Sequence, residues 1–144
     1  MPDPAVGVHL FVANRALEER AYAAVLAAGV DDVTVAQARL LSRVADEGSR
    51  LVELADRARV TKQTAGHLVD QLERNGYVER VPDPTDGRAR LVRLTARARA
   101  LVPVAGAEVA RVLEEWREHL GDEAMDQLVT SLARLSAITD PFAH

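Results

Sequence analysis

Residues 60–94 decide the fold, and they read VTKQTAGHLVDQLERNGYVERVPDPTDGRARLVRL. From Ala65 onward the apolar residues recur at the i, i+3, i+4, i+7 spacing of one helix face. Thr61 is placed to cap this helix and Gly76 to end it. After the glycine the pattern alternates as in two strands, separated by the turn-rich segment 82–87. The stretch therefore predicts a helix followed by a two-stranded hairpin.

Two shorter helices are predicted immediately before this stretch. Thr34 and Gln37 have the spacing of a capping box, which predicts a second helix that ends at Gly48. Ser49 is placed to cap a third helix. Three short helices followed by a hairpin form a winged helix-turn-helix, and we assign residues 33–95 to this DNA-binding lobe.

The flanking segments predict long helices. A first helix is expected over about 5–28, and Thr95 is placed to cap a fifth that runs to about residue 120, before a last helix. Pro103 lies inside the predicted fifth helix, where it either kinks the helix or marks its true start. The fold class is therefore mainly α with a small β wing: six helices and a two-stranded hairpin in a single domain, 1–144.

The outer helices carry more apolar surface than one winged-helix core can cover. The side chains that need a partner surface are Leu10, Leu17, Val109, Val112, Leu113, Trp116, Leu128, Leu132 and Leu135. A two-fold interface meets that need, since each patch covers its own copy. We therefore expect an intertwined homodimer with a helical dimerisation lobe of residues 5–28 and 96–138. The alternative is a monomer whose long helices fold over its own core.

The composition limits the class of protein. Of the 144 residues, 48% are hydrophobic, 28% charged and 3% aromatic, which fits one globular domain rich in helix-forming residues. There is no cysteine, so disulfides and thiol redox sensing are excluded. No apolar run approaches the roughly 18 residues that span a membrane, and the first residues lack the pattern of a secretory signal. A cytoplasmic protein is therefore expected.

Charge is unevenly distributed along the chain. The formal net charge is −4, yet residues 57–99 hold ten Lys and Arg against five Asp and Glu, a net of +5 that leaves −9 for the rest. This basic segment coincides with the predicted fourth helix and hairpin. Because phosphate neutralisation supplies most non-specific affinity for DNA, the coincidence indicates a double-stranded DNA partner.

The candidate DNA-binding residues lie on the outward side of the fourth helix and on the hairpin. They are Thr61, Lys62, Gln63, Thr64, Gly66, His67, Arg80, Asp86, Arg88 and Arg90. A helix fits the major groove, where Gln bonds adenine and His contacts guanine or phosphate, and Gly66 lets the backbone come close. Arg88 suits a narrow minor groove, and Asp86 is placed to orient its guanidinium. The alternatives are a merely solvated helix face and, for the arginines of the hairpin stem, ordinary strand-face charges.

With these motifs in view, the sequence resembles the MarR-type bacterial transcriptional regulators. Residues 34–39 and 51–55 are similar to the family's second and third helices, and residues 60–64, 68–73 and 76–80 are similar to its recognition helix and first wing strand. Asp86-Gly87-Arg88 with Leu94-Thr95 matches its wing motif D-x-R followed by L-T. The resemblance covers essentially the whole chain. It implies an obligate homodimer, a pseudo-palindromic operator and repression that a small ligand relieves.

The chain departs from the common pattern of that family at four positions. Gly66 and His67 stand where a hydroxyl residue and an arginine are common, so the DNA sequence that the helix reads cannot be transferred. Gly87 replaces a second basic residue of the wing, and Ala98 replaces a glycine after the L-T pair. These departures concern specificity and local geometry and leave the class unchanged.

The resemblance also implies a small-molecule site between the two lobes. The candidate ligand-binding residues are Phe11, Arg15, Leu41 and Trp116, for a small aromatic or anionic effector, although apolar residues at helical spacing also serve as plain core. The four histidines lack the spacing of metal ligands, so no metal and no cofactor are expected.

No phosphate-binding loop or nucleophile motif is present in the sequence, so we expect no enzyme. The expected function is a sequence-specific DNA-binding transcriptional regulator, a repressor that a small effector releases. The alternative is a winged-helix protein-interaction module that no longer binds DNA. The basic segment argues against that alternative, because such a module has no reason to gather arginines on one lobe.

Overall fold

The computed structural model describes residues 1–140, and its elements follow the predicted order. They are α1 (Val6–Ala27), α2 (Val35–Leu41), α3 (Leu51–Ala58), α4 (Lys62–Arg74), β1 (Val78–Asp83), β2 (Asp86–Leu94), α5 (Ala96–Arg99), α6 (Val102–Leu120) and α7 (Asp122–Thr139). Within the described residues there are six helices of at least seven residues, one helix of four residues and one antiparallel hairpin. The predicted winged-helix architecture is confirmed. The end of the predicted single domain, 141–144, lies outside the described residues.

The apolar side of α4 lies at the centre of the core. All four apolar positions that the sequence predicts there are buried, namely Ala65, Leu68, Val69 and Leu72. They cluster with Leu40 of α2, Leu54 of α3, and Tyr77, Val78 and Val92 at the base of the hairpin. Because full burial of a large apolar side chain contributes about 1.5–3 kcal/mol, this cluster fixes which side of α4 faces outward.

The hairpin is a regular antiparallel pair almost to its tip. Val78 pairs with Leu94 at the base, and the register shifts only between Pro82 and Asp83. The strands reach further toward the tip than the alternation predicts, since Asp83 still pairs with Asp86. An irregularity of this kind increases the local twist and re-aims the side chains beyond it.

Two predictions about the second and third helices are wrong. α2 already ends at Leu41, and Gly48, with a φ of 102°, closes a later turn instead. Ser49 does not cap α3. Its backbone pairs with Val92 of β2, and its hydroxyl accepts a hydrogen bond from the Ala45 N–H. A serine before a helix has the same local signature in both roles, so only the distant strand distinguishes them.

The predicted fifth helix is in fact two helices. Thr95 caps only the four-residue α5, its hydroxyl accepting a hydrogen bond from the Ala98 N–H, and α6 begins afresh at Val102. Pro103 lies in the first turn of α6, where a backbone N–H has no intrahelical acceptor. The missing N–H of proline therefore breaks no helical hydrogen bond there. Pro103 therefore marks the true start of a helix and does not kink one.

The helices α1, α6 and α7 leave apolar side chains uncovered. α1 packs along α6, and the Arg20 guanidinium of α1 lies 2.7 and 2.9 Å from the carboxylates of Glu108 and Glu115. No residue of α1 is buried. The exposed apolar side chains on these helices include Leu10, Phe11, Leu120, Leu132, Leu135 and Ile138. Among residues 1–140 no helix is long and apolar enough to cross a membrane.

One predicted dimerisation residue is already covered by its own chain. Val112 is only 2% exposed within the protomer, because α6 packs against both α1 and α7. The prediction that Val112 needs a partner surface is therefore wrong. The other predicted residues keep exposed surface: Leu10, Leu132 and Leu135 are exposed, and Leu17, Val109, Leu113, Trp116 and Leu128 are half-buried.

Candidate nucleic-acid interface and ligand cavity

The outward side of α4 is free of the protein's own side chains at its amino-terminal end. Thr61 caps the helix, its hydroxyl accepting a hydrogen bond from the Thr64 N–H at 3.0 Å. The same hydroxyl lies 3.0 Å from the Thr64 hydroxyl, so both threonines hold the helix start in place. Lys62, Gln63 and His67 are exposed. Since the core fixes the opposite side of the helix, these three side chains point into the solvent and are available to a partner molecule.

Gly66 lies at the edge of this surface and not at its centre. The residue is half-buried, and a Cβ added to it would lie 3.7 Å from the Leu51 side chain of α3. That distance is an ordinary van der Waals contact. Gly66 therefore faces the neighbouring helix, and the space beside it is large enough for alanine.

The tip of the hairpin presents two arginines without ionic partners. Arg88 and Arg90 are exposed and take part in no ion pair among the described residues. Asp86 does not orient the Arg88 guanidinium as the sequence suggests, because its carboxylate accepts a hydrogen bond from the Arg88 backbone N–H at 3.0 Å. Asp86 therefore shapes the turn, as an aspartate in a turn commonly does, and leaves the guanidinium free.

The arginines of the hairpin stem are held within the protein. Arg80 of β1 donates to Asp70 at 2.7 Å and to Glu73 at 2.8 Å, both on α4. Arg93 of β2 donates to Glu79 on the paired strand at 2.8 Å. Arg80 thus pairs with two carboxylates next to the outward side of α4, compensates part of their charge and ties that helix to the hairpin. Its predicted role as a phosphate contact competes with these two bonds.

Asp83 anchors the base of the hairpin tip, and the sequence reasoning missed it. Its side chain is only 5% exposed and accepts hydrogen bonds from the Thr85 N–H and hydroxyl and from the Arg50 guanidinium, at 2.7–2.9 Å. The bonds from Thr85, followed by those from Arg50, lower the pKa of Asp83 to about 2. An aspartate two residues before a threonine predicts the local turn, but nothing local predicts the arginine at the start of α3.

A second polar cluster, around the buried ring of Tyr77, joins the turn after α1 to the end of α4 and to α5. The Tyr77 hydroxyl donates to the Asp32 carboxylate, and the Arg97 guanidinium lies 4.2 Å from the centre of the Tyr77 ring. Burial, and then the hydrogen bond to Asp32, raises the pKa of Tyr77 to about 12. The same hydrogen bond lowers the pKa of Asp32. The ring and its two charged neighbours therefore hold the turn after α1 against the end of α4.

An apolar cavity of about 180 Å³ lies between α1, α2 and the α5–α6 segment. Its lining residues are Glu18, Ala21, Tyr22, Val25, Val33, Val35, Ala38, Arg39, Leu41, Ser42, Leu94, Ala98, Leu101, Val102 and Ala105. The cavity shares α2 with the core beneath α4. A ligand in it would therefore act on an element that also supports the outward surface.

Of the four predicted ligand-binding residues, only Leu41 lines this cavity. Phe11 is 63% exposed, and Arg15 donates to Glu19 at 3.0 Å on the same helix. Trp116 is not part of the cavity wall either. The α1 wall begins at Glu18, so Phe11 and Arg15 lie one to two helical turns away from it. Within residues 1–140 no three His, Cys, Asp or Glu side chains come together as a metal site.

The fold and these surfaces define a winged-helix protein of the nucleic-acid-binding class. The MarR family model matches residues 31–89. The transcriptional activatory protein BadR of Rhodopseudomonas palustris is 32% identical over 93 residues, 65% of this chain and 52% of BadR. The transcriptional regulator HosA of Escherichia coli O111:H- is 32% identical over 96 residues, 66% of this chain and 71% of HosA. The match thus spans about half of BadR and more than two thirds of HosA.

Solved structures have the same fold over nearly the whole chain. NadR in complex with 4-hydroxyphenylacetate is 26% identical, with a TM-score of 0.72 over 96% of this chain and 99% of that one. A cysteine-to-serine mutant of E. coli MarR with operator DNA is 23% identical, with a TM-score of 0.67 over 93% and 99%. The chain belongs to the MarR family, the winged-helix transcriptional regulators that its sequence resembles.

We predict that Asp83→Asn lowers the urea midpoint of unfolding near neutral pH and that this loss fades in acid. The fold lowers the pKa of Asp83 from 3.8 to about 2. The ionised carboxylate therefore stabilises the folded protein at pH values above the ordinary pKa of an aspartate. That contribution disappears as the pH falls from about 4 toward about 2. Urea unfolding of both proteins across this pH range, followed by circular dichroism, measures the difference.

Asp86→Asn is the matched control for this measurement. Asp86 is exposed and accepts a single hydrogen bond within the turn, so its replacement should lower the midpoint less than Asp83→Asn does. Equal losses in the two variants, or an Asp83→Asn loss that stays constant down to about pH 2, would contradict the anchoring role.

Proposed function

We propose that this chain acts as a homodimeric regulator that binds a pseudo-palindromic operator in double-stranded DNA and is released from it by a small effector. One observation carries the proposal: the exposed start of α4 and the unpaired tip arginines lie on the same winged-helix lobe. In this proposal residues 33–95 bind DNA, and residues 5–28 and 96–138 form the dimer. The protein has no enzymatic role and works in the cytoplasm, where its DNA lies.

DNA recognition is divided between α4 and the hairpin. The amino-terminal turns of α4 enter the major groove, where Gln63 and His67 meet base edges and Lys62 meets a phosphate. Arg88 enters the adjacent minor groove, whose negative potential attracts a guanidinium when the groove is narrow, and Arg90 contacts the backbone. Thr61 and Thr64 hold the helix start, and Asp86 holds the turn.

The dimer is supported by the apolar side chains that the protomer leaves uncovered. Those proposed to meet across a two-fold axis are Leu10, Leu17, Val109, Leu113, Trp116, Leu128, Leu132 and Leu135. The first turns of α1 add Phe11 to this surface. An isologous interface places two copies of α4 about 34 Å apart, one turn of DNA, and this spacing is what an inverted repeat requires.

The effector acts through the cavity beside α2. A single hydrogen bond of 2.9 Å joins α2 to α4, from the Gln37 side-chain amide to the Gln71 side-chain oxygen. A ligand that pushes α2 away from α1 therefore shifts α4 with it, which changes the spacing of the two recognition helices. NadR, the 26% identical relative, is described in complex with 4-hydroxyphenylacetate, and the aromatic ring of that compound supports an effector that contains an aromatic ring. We propose repression as the basal state, whereas BadR is described as a transcriptional activatory protein.

Selection of bound fragments from random DNA tests the proposal directly. We expect an inverted repeat whose half-site centres are about 34 Å apart, roughly 10 base pairs. Affinity for the selected fragment should fall on the order of a thousandfold between about 50 and 200 mM salt, as six to ten phosphate contacts require. A pool without enrichment, together with a flat salt response, would favour the protein-interaction module.

We predict that Arg88→Ala weakens binding to the selected operator by about 1–3 kcal/mol, roughly 5- to 150-fold, and lowers the salt slope by about one. The reason is the exposed guanidinium at the hairpin tip, which has no ionic partner among the described residues. Arg93→Ala is the control, since Arg93 lies on the same strand but is bonded to Glu79. It should change the affinity by less than about threefold. Equal effects of the two variants would exclude the tip as a DNA contact.

We predict that Arg80→Ala also weakens binding, on the order of tenfold, because it leaves Asp70 and Glu73 uncompensated beside the DNA. In the Arg80→Ala background, Asp70→Asn should recover much of the affinity, whereas Glu47→Gln, at an exposed glutamate of the same lobe that pairs with no cation among the described residues, should recover little. If Arg80 contacts phosphate itself, Asp70→Asn restores no more than Glu47→Gln, and the salt slope falls by about one. Fluorescence anisotropy at several salt concentrations distinguishes the two outcomes.

A further inference from the structure

The polar side chains in the cavity wall are already engaged with one another or with the backbone. The Tyr22 hydroxyl donates to the Val33 carbonyl at 2.6 Å, and the Ser42 hydroxyl donates to the Arg39 carbonyl at 2.7 Å. The Arg39 guanidinium donates to both carboxylate oxygens of Glu18, the shortest bond being 2.9 Å. The rest of the wall is Val, Leu and Ala. A ligand therefore meets apolar surface and a pair of charges that sum to zero.

We propose that this cavity takes a compact, uncharged aromatic molecule and discriminates against carboxylates, and that Glu18 sets this specificity. The inference rests on the proposed function for its regulatory meaning. The volume suits a single ring, since an apolar protein cavity of about 150 Å³ accommodates benzene. Burying a carboxylate beside such a wall costs several kcal/mol unless a free cation or several donors meet it. Among the described lining residues Arg39 is the only cation, and Glu18 has already neutralised it.

The Glu18–Arg39 pair forms part of the cavity wall. It joins α1 to α2, and the two side chains are 25% and 37% exposed. A carboxylate ligand would have to displace Glu18 from Arg39 and leave a second carboxylate beside itself. An uncharged ring leaves the pair intact. Glu18 is therefore the residue that converts a cavity containing an arginine into a site for neutral molecules.

Calorimetry with the 144-residue chain at pH 7 tests the charge preference, using acetophenone and benzoate as a pair of similar shape. We expect acetophenone to bind at one site per chain and at least about tenfold more tightly than benzoate, a ratio that corresponds to about 1.4 kcal/mol. Glu18→Gln frees Arg39 and should raise the affinity for benzoate at least about fivefold, with little change for acetophenone. Glu19→Gln is the control, because Glu19 carries the same charge on the same helix, bonds Arg15 and lies outside the cavity.

Two further variants establish that binding occurs in this cavity. Ala105→Leu and Ala21→Leu fill it from α6 and from α1, and either one, if folded by circular dichroism, should abolish acetophenone binding. The inference is overturned if wild type binds benzoate as tightly as acetophenone or binds no acetophenone. It is also overturned if Glu18→Gln behaves like Glu19→Gln, or if a folded filled variant still binds. These assays contain no DNA. Failure of the proposed function shows separately, as wild-type protein that enriches no DNA fragment.

Discussion

The burial of one side of α4 determines what the molecule presents to its surroundings. Ala65, Val69 and Leu72 have no exposed surface, so the helix cannot rotate without opening the core. Its outward residues are then fixed in direction, and β1 begins four residues after the helix ends, at a fully buried Tyr77–Val78 junction. The same packing that holds the helix therefore also sets where the hairpin starts. Arg80 ties the two together a short distance further along the strand.

Ion pairs decide which of the many cations in the basic segment remain available. Arg80, Arg93 and Arg97 are held by carboxylates of α4, β1 and the turn after α1, so their charge is largely compensated locally. Lys62 and the tip arginines keep an uncompensated positive charge, since no carboxylate in the described residues pairs with them. The net charge of +5 over residues 57–99 therefore overstates the attraction along the hairpin stem, where Arg80 and Arg93 are already paired.

Local signals predicted most of the fold, and contacts between distant segments account for what they missed. The Thr34–Gln37 capping box and the apolar spacing of α4 are complete within a few residues, and both are confirmed. Pro103 was compatible with two outcomes because proline is acceptable in a first helical turn and harmful later. Asp83 differs from Asp86 in being buried and in accepting hydrogen bonds from Arg50, a contact that no local pattern predicts. The cavity draws its wall from segments over 80 residues apart, so no periodicity along the chain could outline it.

Gln37 links α2, which lines the cavity, to the helix that carries the outward surface. Its side-chain oxygen accepts a hydrogen bond from the Thr34 N–H at the start of α2, while its amide nitrogen donates to Gln71 of α4. The residue is only 5% exposed, and an unsatisfied buried amide costs about 1–3 kcal/mol, so the loss of either partner is unfavourable. In the proposed mechanism, a ligand that displaces α2 from the side of α1 therefore displaces α4 as well, because this bond favours movement of the two helices together.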